Sequence, residues 1–303
     1  MRALVTGGRG FAGRWLVSHL RDEGDEVLAT GEDVNVTDLG AVRALFESYA
    51  PEAVYHLAGW AHVGSSWQDP PATFLVNAQG TVHVLDAARR QSQAPRVLVV
   101  SSAEVYGSVA AEQLPLGEAS PVQPVSPYAA SKVAAEVAAR QAWAGFGLPV
   151  VVVRPFNHIG PGQSPTFVVS ALARRIVEAE RSHTDLVEMG NPTPRRDLTD
   201  VRDVVRAYRL VLCHGQPGET YNVCSGRDLV IGDLARRLIE LSGLSLELAT
   251  GTVELRPSDV AVLRGDPTRL IEATGWQPRI PLDQTLTDVL AYWREELTSP
   301  AAP

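Results

Sequence analysis

Two hydrophobic periods alternate along the first half of this 303-residue chain. Residues 2–7 (RALVTG), 25–30 (DEVLAT), 52–59 (EAVYHLAG), 96–102 (RVLVVSS) and 150–156 (VVVVRPF) are short apolar runs rich in valine and leucine. Such runs predict strands buried on both faces of a sheet. Between them, residues 11–24, 39–50, 72–91 and 126–147 carry apolar side chains at three- and four-residue spacing, as helices with one buried face do. The alternation predicts an α/β fold built on a doubly wound parallel sheet with helices on both faces.

After about residue 155 the rhythm loosens. The stretch NHIGPGQSPTF, 157–167, interrupts it with glycine and proline before a helical pattern at 167–180. Residues 196–226 read as a helix and then a strand that return to the first unit. From 228 onward, short helices separated by prolines suggest a smaller, less regular C-terminal lobe. The expected division is therefore 1–155 with about 198–224 as the main domain, and about 156–197 with 225–303 as the lobe.

Composition narrows the functional classes. A formal net charge of -8 leaves no basic stripe for a phosphate backbone, so nucleic acid is not an expected partner. No apolar run is long enough to span a bilayer, and the N-terminal residues lack the regions of a secretory signal. A cytoplasmic location without membrane attachment is expected. Cys213 and Cys224 have no metal-ligand spacing and read as buried thiols. None of the seven histidines forms a zinc-hydrolase pattern, so no metal is expected.

The first strand runs directly into TGGRGFAG, with Gly7, Gly10 and Gly13 at three-residue spacing and a helical pattern beyond. A tight turn, close approach of backbone to a pyrophosphate, and packing of helix on strand each exclude a side chain at such positions. The free amides and dipole at the helix start then favour an anion. The main domain is accordingly expected to be a Rossmann-like dinucleotide-binding domain. Asp33, twenty residues beyond Gly13, is placed to bond ribose hydroxyls, or with Val34 to flank the adenine. Arg9, inside the turn, is placed to meet a 2′-phosphate. NADP(H) is thereby favoured slightly over NAD(H).

Lys132 is the one lysine among 27 basic residues. It follows Tyr128 by four positions, so on a helix the two side chains share a face. A phenol ordinarily titrates near 10, and a neighbouring ammonium is expected to bring it down toward neutrality. The compact, three-donor ammonium suits that task and the hydroxyls of a nicotinamide ribose better than a guanidinium. SSAEVYG, 101–107, puts Ser101, Ser102 and Glu104 at a strand's carboxyl end, where open α/β sheets bind ligands.

With these motifs the chain resembles the extended short-chain dehydrogenase/reductases that act on nucleotide sugars. The resemblance spans almost the whole length and includes TGGRGFAG, HLAG at 56–59, NAQGT at 77–81, SSAEVYG, YAASK and RRDLTDVRDVV at 195–205. It implies cofactor contacts at Phe11, Leu57, Ala58, Gly59 and Asn77 in addition to the glycines, Tyr128 and Lys132. Within the family, residues 154–168 and LRPSDV at 255–260 look most like the GDP-4-dehydro-6-deoxy-D-mannose reductases, which make GDP-D-rhamnose. That likeness implies a GDP-linked nucleotide-sugar substrate, with Asn157 and Gln163 facing its diphosphate and Arg196 and Arg256 meeting phosphate or ribose oxygens. It also implies a homodimer that pairs the alanine-rich 126–147 helix with the helix over 77–90 across a two-fold axis.

Reductases, 4,6-dehydratases and 4-epimerases of this kind share the cradle and the Ser-Tyr-Lys group. A dehydratase needs a carboxylate base and a polar helper beside the serine. Glu104 can serve as the base, but Ala103 has no proton to give. A reductase needs neither, and reduction of a C4 ketone by NAD(P)H, with Tyr128 as proton donor and Ser102 on the ketone oxygen, is the expected activity. The alternatives are a GDP-mannose 4,6-dehydratase, a nucleotide-sugar 4-epimerase, and a noncatalytic dinucleotide sensor.

Overall fold

A computed structural model describes residues 1–251 and 260–298. Each of the five apolar runs forms a strand. The chain passes through β1 (Arg2–Thr6), α1 (Phe11–Asp22), β2 (Glu26–Ala29), α2 (Leu39–Tyr49) and β3 (Ala53–His56). Short helices α3 (Val63–Ser66) and α4 (Pro70–Phe74) lead through a widened turn at Leu75–Gln79 into α5 (Gly80–Arg89). Then come β4 (Arg96–Val100), α6 (Pro127–Phe146) and β5 (Val150–Pro155).

The remaining elements are β6 (Asn157–Ile159), α7 (Val168–Ser182), β7 (Leu186–Met189), β8 (Arg195–Asp200), α8 (Val201–His214) and β9 (Thr220–Val223). They continue with β10 (Asp228–Val230), α9 (Ile231–Ser242), β11 (Glu247–Thr250), β12 (Val262–Leu263), α10 (Thr268–Thr274) and α11 (Leu282–Thr298).

The central sheet has the order β2-β1-β3-β4-β5-β9, and all its neighbours are parallel. The chain steps outward from β1 to β2 and then crosses back to β3. This topological switch opens a crevice at the carboxyl ends of β1 and β3, the place where such sheets bind ligands. One face of the sheet packs on α1 and α8 through Leu16, Leu20, Val204, Tyr208 and Val211, with Trp276 below. The other packs on α2, α5 and α6 through Phe46, Val84, Ala139 and Ala142.

β2 departs from the expectation of strands buried on both faces: as the sheet's edge it is only partly covered. The N-terminal amine lies near it, ion-paired to buried Asp25 at 2.9 Å. Cys224 is a buried free thiol, whereas Cys213 is only half-buried.

Residues 195–200 correct the reading of 196–226 as helix followed by strand. They form β8, which pairs with β6 and β12 in parallel and with β10 antiparallel. Their charge hid the strand. Asp197 is fully buried because it accepts from Ser225 N at 2.8 Å, Ser225 Oγ at 2.6 Å and Gly226 N at 2.9 Å. Only at Asp200, whose side chain accepts from Arg202 N at 2.8 Å, does a helix begin. The C-terminal helices are also not all short, since α11 runs for 17 residues and buries Leu286, Val289, Leu290 and Trp293 against α7 and α9. Among the described residues no helix is long and apolar enough to cross a membrane.

Candidate active site

The crevice above the switch point is a cleft of about 930 Å³. One wall follows the carboxyl ends of β1, β3, β4 and β5, and the other follows residues 155–169 with Arg196 and Leu198. Its floor is the glycine turn. Gly7 has φ +71°, and a Cβ there would meet Ala58 N at 2.6 Å. A Cβ on Gly13 would lie 2.2 Å from Gly7 O. Gly10 caps α1 without a side chain, leaving the first amides of the helix free toward the cleft. A Cβ at Gly7 or Gly13 would collide with backbone and open the turn, so the glycines keep a cradle whose shape and free amides fit the pyrophosphate of a dinucleotide.

At the outer end of the turn, Arg9 and Asp33 form a largely exposed ion pair at 3.2 Å. Gly31 N donates to Asp33 Oδ1 at 2.7 Å, and this bond holds the carboxyl below its usual range. Val34 and Arg9 line the cleft, but Asp33 does not. Phe11 stacks on His158, with centroids 5.9 Å apart and planes 6° from parallel, so the first turn of α1 touches the opposite wall.

Leu57, Ala58 and Gly59 line the cleft, whereas Asn77 lies buried behind it. Asn77 Oδ1 accepts from Trp60 N at 2.7 Å, and its Nδ2 donates to Trp60 O at 3.2 Å and Ser131 Oγ at 2.9 Å. Asn77 therefore clamps the segment after β3 onto α6. Gly59 is the narrow point, because a Cβ there would meet Asn77 Oδ1 at 2.7 Å and Lys132 Nζ at 3.3 Å.

α6 begins at Ser126, whose hydroxyl accepts from Ala129 N at 3.1 Å, with Pro127 in the first turn. This start presents Tyr128 and Lys132 to the cleft one turn apart, both less than a tenth exposed. Lys132 Nζ lies 5.9 Å from the Tyr128 ring centroid and donates to Val100 O at 2.9 Å. Ser102 and Glu104 follow β4 and line the same end. Ser102 Oγ accepts from Glu104 N at 3.2 Å, which holds the turn at Ala103–Tyr106.

The electrostatics correct the expectation that Lys132 brings the phenol down. Burial pushes Tyr128 up to about 12; a hydrogen bond with Ser102 opposes the shift and the Glu104 charge adds to it. Burial also lowers Lys132 to about 8, partly offset by the charge of Glu136. The Lys132 ammonium faces a carbonyl rather than the phenol oxygen, and both groups have lost water, whose removal disfavours whichever form is charged. At neutral pH the site holds a neutral phenol beside a mostly charged amine. His56, between Thr6 and Thr81, is driven down to about 3 by burial and stays neutral.

On the opposite wall, Asn157 is exposed, and Gln163 is buried with Nε2 donating to His158 O at 2.9 Å. Arg196 lines the cleft and donates from Nη1 to Arg195 O at 2.9 Å. Arg256 lies outside the described residues. Trp60, Phe167 and Val168, absent from the expected site, also line the cleft. Glu136 and Arg154 are another omission: Arg154 donates to Glu136 through Nε at 2.8 Å and Nη2 at 2.7 Å. The spacing 128, 132, 136 was the available signal for Glu136. Along α6, Ala129, Ala135, Ala139 and Ala142 turn into the protomer, whereas Ala130, Ala134 and Ala138 are partly exposed and Val137, Trp143 and Phe146 are exposed.

Residues 3–224 match the family model described as NAD dependent epimerase/dehydratase family. Over 299 residues, covering 98% of both chains, the sequence is 35% identical to a GDP-6-deoxy-D-mannose reductase from Pseudomonas aeruginosa. Among solved structures, RMD from Pseudomonas aeruginosa complexed with NADPH superposes with a TM-score of 0.91 at 35% identity, covering 98% of this chain and all of that one. The UDP-glucose 4-epimerase of Thermus thermophilus in complex with NAD gives 0.88 at 28% identity, covering 97% and 99%.

Proposed function

Since this chain belongs to the NAD dependent epimerase/dehydratase family, we propose that it reduces the C4 ketone of a nucleotide-linked 4-dehydro-6-deoxy sugar, GDP-4-dehydro-6-deoxy-D-mannose to GDP-D-rhamnose. The observation that carries this reading is the buried, protonated Tyr128 phenol beside Ser102, with only a methyl group at Ala103. A reductase needs a proton donor, and a phenol held near 12 is one throughout the neutral range. Glu104 supports the dehydratase as the second reading, but the helper that would protonate a departing C6 hydroxyl has no counterpart at Ala103.

In this assignment the dinucleotide occupies residues 1–155 with about 198–224, and the sugar nucleotide occupies the C-terminal lobe. A reduced nicotinamide, when bound, supplies the hydride to C4. Ser102 orients the ketone oxygen, Tyr128 delivers its proton to that oxygen as charge develops, and the Lys132 ammonium holds ribose hydroxyls. Asn157, Gln163 and Arg196 are assigned to the substrate diphosphate and ribose. The relative 35% identical to this chain, named for GDP-6-deoxy-D-mannose, supports the GDP-linked substrate. Incubation with the 4-dehydro-6-deoxy substrate and NAD(P)H is expected to consume one reduced cofactor per ketone. Conversion of GDP-mannose with no added reductant and no net change in nicotinamide absorbance would instead establish the dehydratase.

NADPH is the proposed reductant. Arg9 is exposed at the adenosine end, and its Asp33 partner is solvated enough to release it. Arg9→Ala is expected to raise the KM for NADPH about tenfold, the loss of one charge-assisted contact, and to leave that for NADH within about twofold. Equal effects on both cofactors would remove Arg9 from 2′-phosphate recognition.

A further inference from the structure

Glu136 lies one turn beyond Lys132, so Tyr128, Lys132 and Glu136 occupy successive turns of one face of α6. Its carboxylate reaches the residue after β4 and a residue on β5. Oε1 accepts from Ser101 Oγ at 2.5 Å and from Arg154 Nε on β5 at 2.8 Å, and Oε2 accepts from Arg154 Nη2 at 2.7 Å. Arg154 is fixed in turn, donating from Nη1 to Tyr106 Oη at 3.0 Å and to Glu118 O at 3.2 Å. Side-chain exposure of the Arg154–Glu136 pair is 7% and 11%, so little solvent screens it.

β4 and the residue after it are thus stitched to α6 twice in succession. Val100 O receives Lys132 Nζ, and Ser101 Oγ donates to Glu136. Ser102, which follows immediately, shares a hydrogen bond with the Tyr128 phenol. Glu136 on the same helix acts on the lysine, Glu104 beyond β4 acts on Tyr128, and Arg154 on β5 pairs with Glu136; His56 on β3 is neutral and Tyr128 is protonated.

We propose that Glu136 is a positioning residue for ketone reduction: through Ser101 it sets the distance between Ser102 and Tyr128, and it places a carboxylate one helical turn from the Lys132 ammonium. This inference rests on the reductase reading, and the two fail differently. Wild-type protein that does not reduce the ketone refutes that reading. A wild-type reductase whose kcat ignores both Glu136 and Ser101 refutes this one.

The test compares pH profiles of kcat for wild type, Glu136→Gln and Glu136→Asp. Removing the carboxylate charge destabilises the ammonium and makes the phenol easier to ionise, and both effects move the alkaline limb the same way. For Glu136→Gln the limb is expected to shift about one unit toward lower pH, with kcat reduced at least tenfold and KM within about threefold. Glu136→Asp keeps the charge beside Arg154 but cannot hold Ser101 at the same reach, so kcat is expected to fall about tenfold with the limb unmoved. If Glu136→Gln does not fold because Arg154 is left unpaired, Glu136→Asp and Ser101→Ala decide: a kcat within twofold of wild type in both overturns the positioning role. An unshifted limb in folded Glu136→Gln overturns the charge role.

Discussion

Tyr128→Phe is expected to lower kcat for ketone reduction about a thousandfold, within the range by which a positioned general acid accelerates proton transfer. The change removes one oxygen and keeps the ring. Because the ring is 8% exposed and packed where α6 begins, phenylalanine retains the apolar burial and the helix start at Ser126 is untouched. The KM for the ketone and the dissociation constant of the reduced cofactor should stay within about threefold. With burial holding the phenol near 12, the wild-type rate should not vary with Tyr128 ionisation between pH 6 and 8; loss of rate on the alkaline side comes from Lys132, which is held near 8. Initial-rate kinetics across pH measure both. A Tyr128→Phe variant retaining a tenth of wild-type turnover would show that another group delivers the proton.

The second large effect concerns the floor of the cleft. A methyl group on Gly13 would overlap Gly7 O at 2.2 Å and Gly8 Cα at 2.7 Å, and all of these are backbone atoms that no rotamer change can move. α1 must then lift from the turn, carrying its free amides away from the anion they face. Overpacking of this kind costs about 1–3 kcal/mol and occasionally more, so Gly13→Ala is expected to weaken dinucleotide binding about a hundredfold. Quenching of tryptophan fluorescence by titrated NADPH follows the loss, and circular dichroism checks that the sheet and helices persist. Unchanged affinity in a folded variant would mean that the pyrophosphate does not lie on this turn.

What could be read from the sequence was whatever depends on local spacing. The strands are legible because buried parallel strands are continuous apolar runs, and β1, β3, β4 and β5 are built that way. The glycine turn is legible because the strand, turn and helix are contiguous. β8 was not legible: Arg195, Arg196, Asp197 and Asp200 look like surface, and Ser225, Gly226 and Gly265, more than twenty residues on, satisfy Asp197 and make its burial tolerable. The same limit applies inside the site. Tyr128 and Lys132 were readable as a pair from a spacing of four, but the direction of the phenol's shift depends on how completely the fold removes water and on Lys132 turning to Val100 O. Asn77 was readable as belonging to the site but not as standing behind it, since that depends on Trp60 and Ser131 meeting it from separate elements.

The solitary lysine also makes the protein an unusual substrate for amine chemistry. Along this sequence Lys132 carries the one side-chain amine, and that amine opens into the crevice. The mass added at residue 132 therefore counts vacant crevices directly, and any compound that enters there declares itself by shielding a single atom.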